Sequence, residues 1–257
     1  MSLYKQKKLG VMLRHSKHVG KGPALTLRVP QGDRPFLLFI LIFVIALSAC
    51  GNKPSAANTQ SADSTTAATT PSNKKSILFF GDSLTAGYGL SDPTDDAYPA
   101  VIQHKIDSIK LPYNVINAGN SGETTAGGLG RIDWVLKQKT DIFILELGAN
   151  DGLRGIPVKE TTKNLQAIID KVKAKYPNAK IILTGMQVPP SMGADYCNSF
   201  KAVFAQLAEK NKIGLVPFLL TNVGGIPKLN QADGIHPTPE GAKIVANNVW
   251  KILKGDL

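Results

Sequence analysis

The sequence predicts an α/β fold built around a parallel sheet. From residue 76 onward, short apolar runs alternate with longer segments whose apolar residues recur at helical spacing. The first run, residues 77–80, has the length and composition of a strand that is buried on both faces. Polar, glycine-containing segments follow several of these runs, and in an open parallel sheet such segments meet at the carboxyl edge, where ligands bind.

Five strands and five helices are predicted from this alternation. The strands cover residues 77–80, 113–117, 141–147, 180–184 and 214–217. The helices cover residues 98–110, 125–137, 158–175, 198–210 and 239–253. We expect a flavodoxin-like three-layer α/β/α sandwich whose five parallel strands lie in the order 2-1-3-4-5, with the first strand between the second and the third.

A short apolar segment precedes this domain. Residues 36–49 form a run of fourteen residues without a charge, whereas a membrane span needs roughly 20, so the run fits the core of a signal peptide better. It ends in Leu-Ser-Ala-Cys at Cys50, and Gly51 follows. This sequence resembles a bacterial lipobox, which implies cleavage before Cys50 and lipidation of that cysteine. An uncleaved short anchor with an incidental cysteine is the alternative.

The chain is therefore divided into three parts. Residues 1–49 are a basic region plus a lipoprotein signal peptide, residues 50–75 are the lipidated cysteine and a disordered Ser/Thr/Ala linker, and residues 76–257 are the domain. We expect a lipid-anchored protein in the cell envelope of a Gram-negative bacterium. Gly51 rather than Asp follows the cysteine, and the resemblance to lipoproteins sorted in Gram-negative bacteria implies the outer membrane, facing the periplasm. The basic region is unusually long, so a translation start at Met12 or further down stays open.

The formal net charge of +11 does not predict nucleic-acid binding, because most of it lies outside the domain. Residues 1–50 contain eight Lys or Arg and one Asp, whereas residues 51–257 contain 22 basic and 18 acidic residues. The domain has no basic cluster with interleaved aromatic residues. Since no cluster of Cys, His and carboxylates has metal-ligand spacing, we expect no metal and no cofactor. Cys197 is left unpaired, and we interpret it as a helix-start or small buried residue.

Polar segments at predicted strand ends contain the groups that acyl transfer requires. Ser83 follows the first strand and is the candidate nucleophile, although Asp82 and Ser83 could instead only cap the next helix. His236 is the candidate base, because the other domain histidine, His104, lies within a predicted helix. Asp233 lies three residues before His236, a spacing that lets its carboxylate orient the imidazole.

Three groups are candidates to stabilise an oxyanion. They are the backbone N–H groups of Ser83 and Gly122 and the side-chain amide of Asn150, which follow neighbouring strands in the predicted order. A turn former is the alternative interpretation of Asn150. After it, Leu153 and Arg154 lie in an expected exposed loop at 152–157, with a glycine on each side. This loop is predicted to close over substrate; a plain strand-to-helix connection is the alternative.

The segments around these groups resemble the four sequence blocks of the GDSL, or SGNH, hydrolases. The blocks are Gly-Asp-Ser-Leu at 81–84, Ser-Gly-Glu-Thr at 121–124, Gly-Ala-Asn-Asp at 148–151 and Asp-Gly-Ile-His at 233–236. They occur in family order, and the resemblance covers residues 76–253. It is closest to the acyl-CoA thioesterase, lysophospholipase and arylesterase group. The resemblance implies that Ser83, Asp233 and His236 form a catalytic triad and that Ser83, Gly122 and Asn150 form the oxyanion hole.

The resemblance also implies an activity. It predicts a monomeric serine esterase or thioesterase that hydrolyses short to medium acyl esters, such as aryl esters, acyl-CoA thioesters and lysophospholipids, through an acyl-enzyme. The expected partners are a small acyl ester or lysolipid substrate and, through the lipid anchor, the membrane. One alternative is a carbohydrate or peptidoglycan O-acetylesterase. Another is a non-catalytic envelope lipoprotein that binds lipid or glycan, although a binding protein has no need of a base and oxyanion donors.

Overall fold

The computed structural model describes residues 74–257. The expected signal peptide, the lipidated Cys50 and nearly all of the linker lie outside the described residues. Within residues 74–257, every helix is too short or too polar to span a bilayer.

Five strands and eight α-helices make up the described part of the chain. The strands are β1 (Lys75–Gly81), β2 (Tyr113–Gly119), β3 (Ile142–Glu146), β4 (Lys180–Thr184) and β5 (Gly214–Val216). The helices are α1 (Ser83–Ala86), α2 (Pro93–Asp96), α3 (Tyr98–Ser108), α4 (Thr125–Val135), α5 (Ala149–Leu153), α6 (Val158–Lys175), α7 (Ala194–Asn211) and α8 (Pro239–Leu253). Short 3-10 helices at Pro190–Met192 and Pro227–Leu229 precede α7 and α8.

The sheet has the predicted topology. Its strands are all parallel and lie in the order β2-β1-β3-β4-β5, which confirms the α/β fold class. The central strands β1 and β3 are almost entirely buried, as expected for strands covered on both faces. Gly81 pairs in register with Gly119 of β2 and Glu146 of β3. The carboxyl ends of these three strands therefore meet at one edge, where the polar segments begin.

The helices cover the sheet in two groups. Helix α6 packs between α4 and α7, while α3 packs against α8. The buried residues of α6 include Leu165, Ile168, Ile169 and Val172, which recur at the spacing of one helical face. This stripe packs into the core, and the opposite face of the helix is solvated.

Several element ends differ from the predicted ones. Residues 75, 76 and 81 join β1, residues 118 and 119 join β2, and residues 194–197 and 211 join α7, whereas residues 109, 110, 136 and 137 are not helical. Two of the helix ends have a local cause. Lys110 and Lys212 adopt φ angles of 56° and 54°, the left-handed conformation that ends a helix.

Two short helices at strand ends were not predicted. Residues 83–86, expected in a glycine-rich loop, form α1, and Asp82 caps it by accepting the Leu84 N–H at 3.0 Å. Residues 149–153 form α5, so the expectation of an exposed loop over 152–157 is wrong for its first two residues. Gly152 is buried, and a Cβ there would collide with Val188 and approach Phe200. It is a packing residue that lets α5 lie close to its neighbours.

Candidate active site

A cleft of about 710 Å³ opens at the carboxyl edge of the sheet. Ser83, Gly122, Asn150 and His236 line it. Much of the remaining wall is apolar and includes Leu153, Met186, Val188, Pro189, Phe218 and Ile235. A few convergent polar groups in an otherwise apolar cleft are typical of a site that binds a small apolar ligand in a fixed orientation.

Ser83, His236 and Asp233 form a hydrogen-bonded chain in this cleft. His236 Nε2 lies 2.8 Å from Ser83 Oγ, and His236 Nδ1 lies 2.6 Å from Asp233 Oδ2. Asp233 Oδ1 also accepts the backbone N–H groups of Ile235 and His236, both at 3.0 Å. The structure thus brings together three predicted site residues that come from opposite ends of the domain sequence.

The hydrogen bonds around Asp233 keep its carboxylate ionised. Partial burial alone would raise its pKa, but the bonds from the His236 ring and from the Ile235 and His236 backbone outweigh burial and lower the pKa to about 2. An ionised acceptor favours a proton on His236 Nδ1, which leaves Nε2 as the hydrogen-bond acceptor facing Ser83.

The loop that contains His236 is fastened to the segment after the nucleophile. Gln231 Nε2 donates to the Tyr88 carbonyl at 2.8 Å and to the Pro237 carbonyl at 3.0 Å. The Tyr88 ring lies against the imidazole, with 4.8 Å between the ring centroids. These contacts set the position of the histidine loop relative to α1.

Two backbone N–H groups of cleft-lining residues are available as donors. Those of Ser83 and Gly122 donate to no other backbone carbonyl within residues 74–257, and both residues line the cleft. Ser83 is the first residue of α1, where helix geometry leaves the N–H unpaired. Gly122 adopts a φ of 78°, which favours glycine, and its carbonyl accepts a hydrogen bond from Arg154 Nη2 at 3.0 Å.

Asn150 lies on α5 with both amide hydrogens engaged. Its Nδ2 donates to Asp82 Oδ2 at 3.0 Å and to the Glu123 carbonyl at 3.1 Å. Donation to a third acceptor therefore requires that one of these bonds be shared or exchanged. The next residue, Asp151, has a structural role. It is fully buried and accepts the Thr125 N–H at 2.8 Å, which holds α5 against the start of α4.

The turn that contains Gly122 has an anchor that sequence reasoning missed. Arg131 on α4 donates to both carboxylate oxygens of Glu123, at 2.5 and 2.6 Å, and to the Ala118 carbonyl at 2.8 Å. Its guanidinium also lies over the Phe80 ring, 4.2 Å from the centroid. Such a bidentate pair fixes both direction and distance, so it holds the Glu123 carbonyl that accepts from Asn150.

Two carboxyl groups are buried beside α1. Glu146, the last residue of β3, accepts the Asp82 N–H at 3.1 Å and the Thr85 hydroxyl at 2.7 Å, both through Oε2. The Thr85 hydroxyl lies 2.8 Å from that of Tyr98. A Cβ on Gly81 would collide with Thr85 Oγ1 and Glu146 Oε2, so a glycine leaves room for the carboxyl group.

Burial raises the pKa of both carboxyl groups. The pKa of Asp82 rises to about 6, although hydrogen bonds from the Leu84 N–H and the Asn150 amide oppose the shift. The pKa of Glu146 lies well above its usual range, because burial and the neighbouring Asp82 both disfavour its charged form. No pattern of apolar residues distinguishes a strand-end glutamate of this kind from a solvated one.

The remaining candidate residues lie outside the hydrogen-bonded cluster. Leu153 is 43% exposed and borders the cleft, whereas Arg154 contacts the Gly122 carbonyl instead. His104 is exposed, and its Nε2 lies 3.0 Å from Asp95 Oδ1. Cys197 lies in the first turn of α7. Among residues 74–257 no three His, Cys, Asp or Glu side chains are grouped so as to hold a metal ion.

Comparison with known proteins identifies the family. Residues 79–244 match the GDSL-like Lipase/Acylhydrolase family. The chain belongs to this family. Esterase TesA of Pseudomonas aeruginosa is 39% identical over 70% of this chain and 88% of its own length. Thioesterase 1/protease 1/lysophospholipase L1 of Escherichia coli K12 is 37% identical over 69% of this chain and 83% of its own length.

A solved structure supports the same assignment. The psychrotrophic esterase EstA from Pseudoalteromonas sp., in a form inhibited by monoethylphosphonate, superposes with a TM-score of 0.66 at 34% identity. The match covers 71% of this chain and 98% of that one. The predicted family and fold of this GDSL acylhydrolase are therefore confirmed.

Proposed function

We propose that this GDSL acylhydrolase cleaves short to medium acyl esters and thioesters through an acyl intermediate on Ser83. The observation on which the proposal rests is the hydrogen-bonded chain from Ser83 Oγ to His236 to Asp233, with distances of 2.8 and 2.6 Å, at the wall of a largely apolar cleft. The names of the relatives, an esterase and a thioesterase/lysophospholipase, support this substrate class.

The chemistry follows from the arrangement of the three side chains. Ser83 Oγ attacks the acyl carbon while its proton moves to His236 Nε2, and the carbonyl electrons move onto the acyl oxygen. The imidazolium, stabilised by the Asp233 carboxylate, then gives the proton to the departing alkoxide or thiolate, which leaves the acyl-serine ester. A water molecule next gives its proton to His236 and attacks the ester, and Ser83 recovers the proton as the carboxylic acid departs.

The oxyanion is stabilised by three donors in this proposal. The free N–H groups of Ser83 and Gly122 point to this use, since neither has another backbone acceptor within residues 74–257. Asn150 joins them by sharing or exchanging its bond to the Glu123 carbonyl, while its bond to Asp82 keeps the amide oriented. Each such donor contributes about 2.7–4 kcal/mol to transition-state stabilisation.

The cleft supports acyl chains longer than acetyl. Leu153 borders it from the end of α5, and we assign this side chain a contact with the acyl chain. Arg154 supports the site through the Gly122 carbonyl. An enzyme that removes only acetyl groups from sugars has little use for so extended an apolar wall.

A chain-length series tests the proposal. The purified protein and its Ser83→Ala variant are assayed with p-nitrophenyl esters from acetate to decanoate, and with acyl-CoA, lysophospholipid and acetylated polysaccharide. We expect hydrolysis to extend beyond acetate and to be lost in the variant. Activity confined to acetyl groups favours the O-acetylesterase alternative. Absence of hydrolysis, with retained binding of lysolipid, favours the binding-protein alternative.

We also propose that Cys50 anchors the domain to the outer membrane through a covalent lipid. The lipobox-like sequence after the apolar run supports this. Replacing Cys50 with Ser should abolish labelling by a fatty-acid probe and should leave an unprocessed precursor. Unchanged membrane retention and size of that variant contradict the proposal.

A further inference from the structure

Glu146 has an incomplete set of hydrogen bonds. Its side chain is fully buried, and Oε2 accepts both the Asp82 N–H and the Thr85 hydroxyl. Oε1 is buried too, but no donor reaches it among the described residues. The Asp82 carboxyl is its neighbour, since the Asp82 backbone N–H donates to Oε2 of the same side chain at 3.1 Å and a hydrogen bond between the two side chains contributes to the pKa shifts of both. A buried oxygen without a partner costs free energy, and a buried carboxylate costs more.

We propose that Glu146 is protonated on Oε1 at neutral pH and donates a hydrogen bond to the Asp82 carboxylate, and that this bond positions the Asn150 amide for the reaction. Glu146 is then a positioning residue that acts through Asp82 and never touches substrate. The proposal rests on the hydrolase function proposed above, although the protonation itself does not.

The count of donors and acceptors requires one proton between the two carboxyl groups. The Tyr98 hydroxyl donates to Thr85 Oγ1, whose own proton goes to Glu146 Oε2. Asp82 accepts the Leu84 N–H through Oδ1 and the Asn150 amide through Oδ2. With one proton on Glu146 Oε1, each of these polar atoms has a partner. With none, Oε1 is orphaned and faces a like charge in the interior.

The surroundings supply no cation to offset a second negative charge. No Lys or Arg within residues 74–257 forms an ion pair with Asp82 or Glu146. The titratable groups that face the pair are Tyr98 on α3, whose pKa is raised well above its usual range by burial, and His236 across the cleft. Burial raises the pKa values of both carboxyl groups, and the charge of the neighbouring Asp82 raises that of Glu146 further, whereas a hydrogen bond with Glu146 favours the charged form of Asp82. This asymmetry is expected of two acids that share one proton carried by Glu146.

The effect on the reaction passes through the Asn150 amide. Asp82 Oδ2 is one of its two acceptors and the one that our mechanism retains when the oxyanion forms. A carboxylate that also accepts a hydrogen bond from Glu146 is fixed from two sides. Without that bond the Asp82 side chain keeps the helix-capping bond from the Leu84 N–H and the bond from Asn150 itself, so only the cap limits the movement of the carboxylate and the amide together.

Two substitutions test whether Glu146 acts as a hydrogen-bond donor to Asp82 or only fills space in the core. In Glu146→Gln the amide nitrogen donates to Asp82 and the amide oxygen accepts from Thr85, so we expect kcat to stay within about threefold of wild type. In Glu146→Leu no donor remains, and we expect kcat to fall about 10–100-fold with KM nearly unchanged. Thr184→Val is the matched control, since it removes a buried hydroxyl at the end of the adjacent strand β4 that donates to the Leu145 carbonyl rather than to Asp82.

Carbon-13 NMR of the wild-type protein, labelled at the glutamate carboxyl carbons, tests the protonation without any substrate. We expect one carboxyl signal at the shift of a neutral acid throughout about pH 5–8, and its absence in Glu146→Gln. A wild type in which every glutamate is ionised at pH 7 overturns the protonation, even if esterase activity is present. Equal kcat in the Gln and Leu variants overturns the positioning role. Should Glu146→Leu fail to fold, a kcat loss of tenfold or more in Glu146→Gln overturns it instead.

Discussion

Replacing Asn150 with Ala separates a catalytic amide from a structural one. The substitution removes both bonds of the side chain, the one to Asp82 Oδ2 and the one to the Glu123 carbonyl. The backbone N–H groups of Ser83 and Gly122 remain. If the amide stabilises charge that exists only in the transition state, the loss should appear in kcat and leave KM nearly unchanged.

The structure sets the expected magnitudes. A hydrogen bond to a carbonyl contributes about 0.5–1.5 kcal/mol to stability and one to a charged group about 1.5–3 kcal/mol, so the variant should lose about 2–4.5 kcal/mol of unfolding free energy. One missing oxyanion donor lowers kcat by about 10²–10³. The fall in kcat does not follow from the loss of stability. A less stable variant that is still folded under assay conditions keeps the kcat of wild type if its active site is unchanged.

Asn248 provides the matched control. This asparagine of α8 is buried and does not line the cleft, and its amide donates to the Leu219 carbonyl at 3.0 Å and the Thr221 carbonyl at 2.8 Å rather than to any of the reacting groups. Asn248→Ala should therefore lose stability by about 1–3 kcal/mol and keep its kcat. Urea unfolding and steady-state kinetics with p-nitrophenyl butyrate measure the two quantities. A kcat for Asn150→Ala within tenfold of wild type, or an equal kcat loss in both variants, refutes the oxyanion assignment.

Three further outcomes are expected. His236→Ala and Ser83→Ala should each abolish nearly all activity, and the double variant should be barely worse, because groups that act as one unit are non-additive; multiplicative losses would contradict a shared step. Leu153→Ala should lower kcat/KM for octanoate esters more than for acetate, since this side chain borders the cleft, and an unchanged chain-length profile would count against it. The pKa of Asp233 is lowered from 3.8 to about 2, so its carboxylate stabilises the folded state above that range and this contribution is lost as the pH falls through it. The gap in unfolding free energy between wild type and Asp233→Asn should therefore narrow between those values, and urea titrations that find a constant gap would refute the linkage.

The sheet and its order were accessible to sequence reasoning because burial leaves a simple signal. Residues 77–80 and 142–145 are continuous apolar runs, and their spacing by helical segments allows few arrangements. Element ends were less predictable, since they depend on single backbone conformations such as the left-handed Lys110 and Lys212. The helices α1 and α5 were missed because four or five residues contain too little periodicity to distinguish a helix from a loop.

The reacting groups could be predicted from the sequence, but their supports could not. Ser83 directly follows β1 after Asp82, and Asp233 and His236 flank Gly234 in the segment before α8, so these polar residues stand out beside glycines. Glu146, by contrast, is one carboxylate at the end of an apolar strand, and nothing local indicates that it is buried beside Asp82. The same holds for the pairing of Arg131 with Glu123, which depends on how α4 lies against the sheet.

The loop that contains His236 is bonded more strongly within itself than to the segment that contains Ser83. Asp233 is fixed to His236 by bonds within four consecutive residues, whereas the link from this loop to the nucleophile's segment runs through Gln231 and the Tyr88 carbonyl. His236 and Asp233 therefore keep their positions relative to each other, and the distance from this pair to Ser83 depends on the Gln231–Tyr88 hydrogen bond. Loss of the Gln231–Tyr88 hydrogen bond would lengthen the distance from His236 Nε2 to Ser83 Oγ, while Asp233 would still hold the imidazole in the same tautomer. Deprotonation of Ser83 would then fail although the His236–Asp233 pair stayed intact.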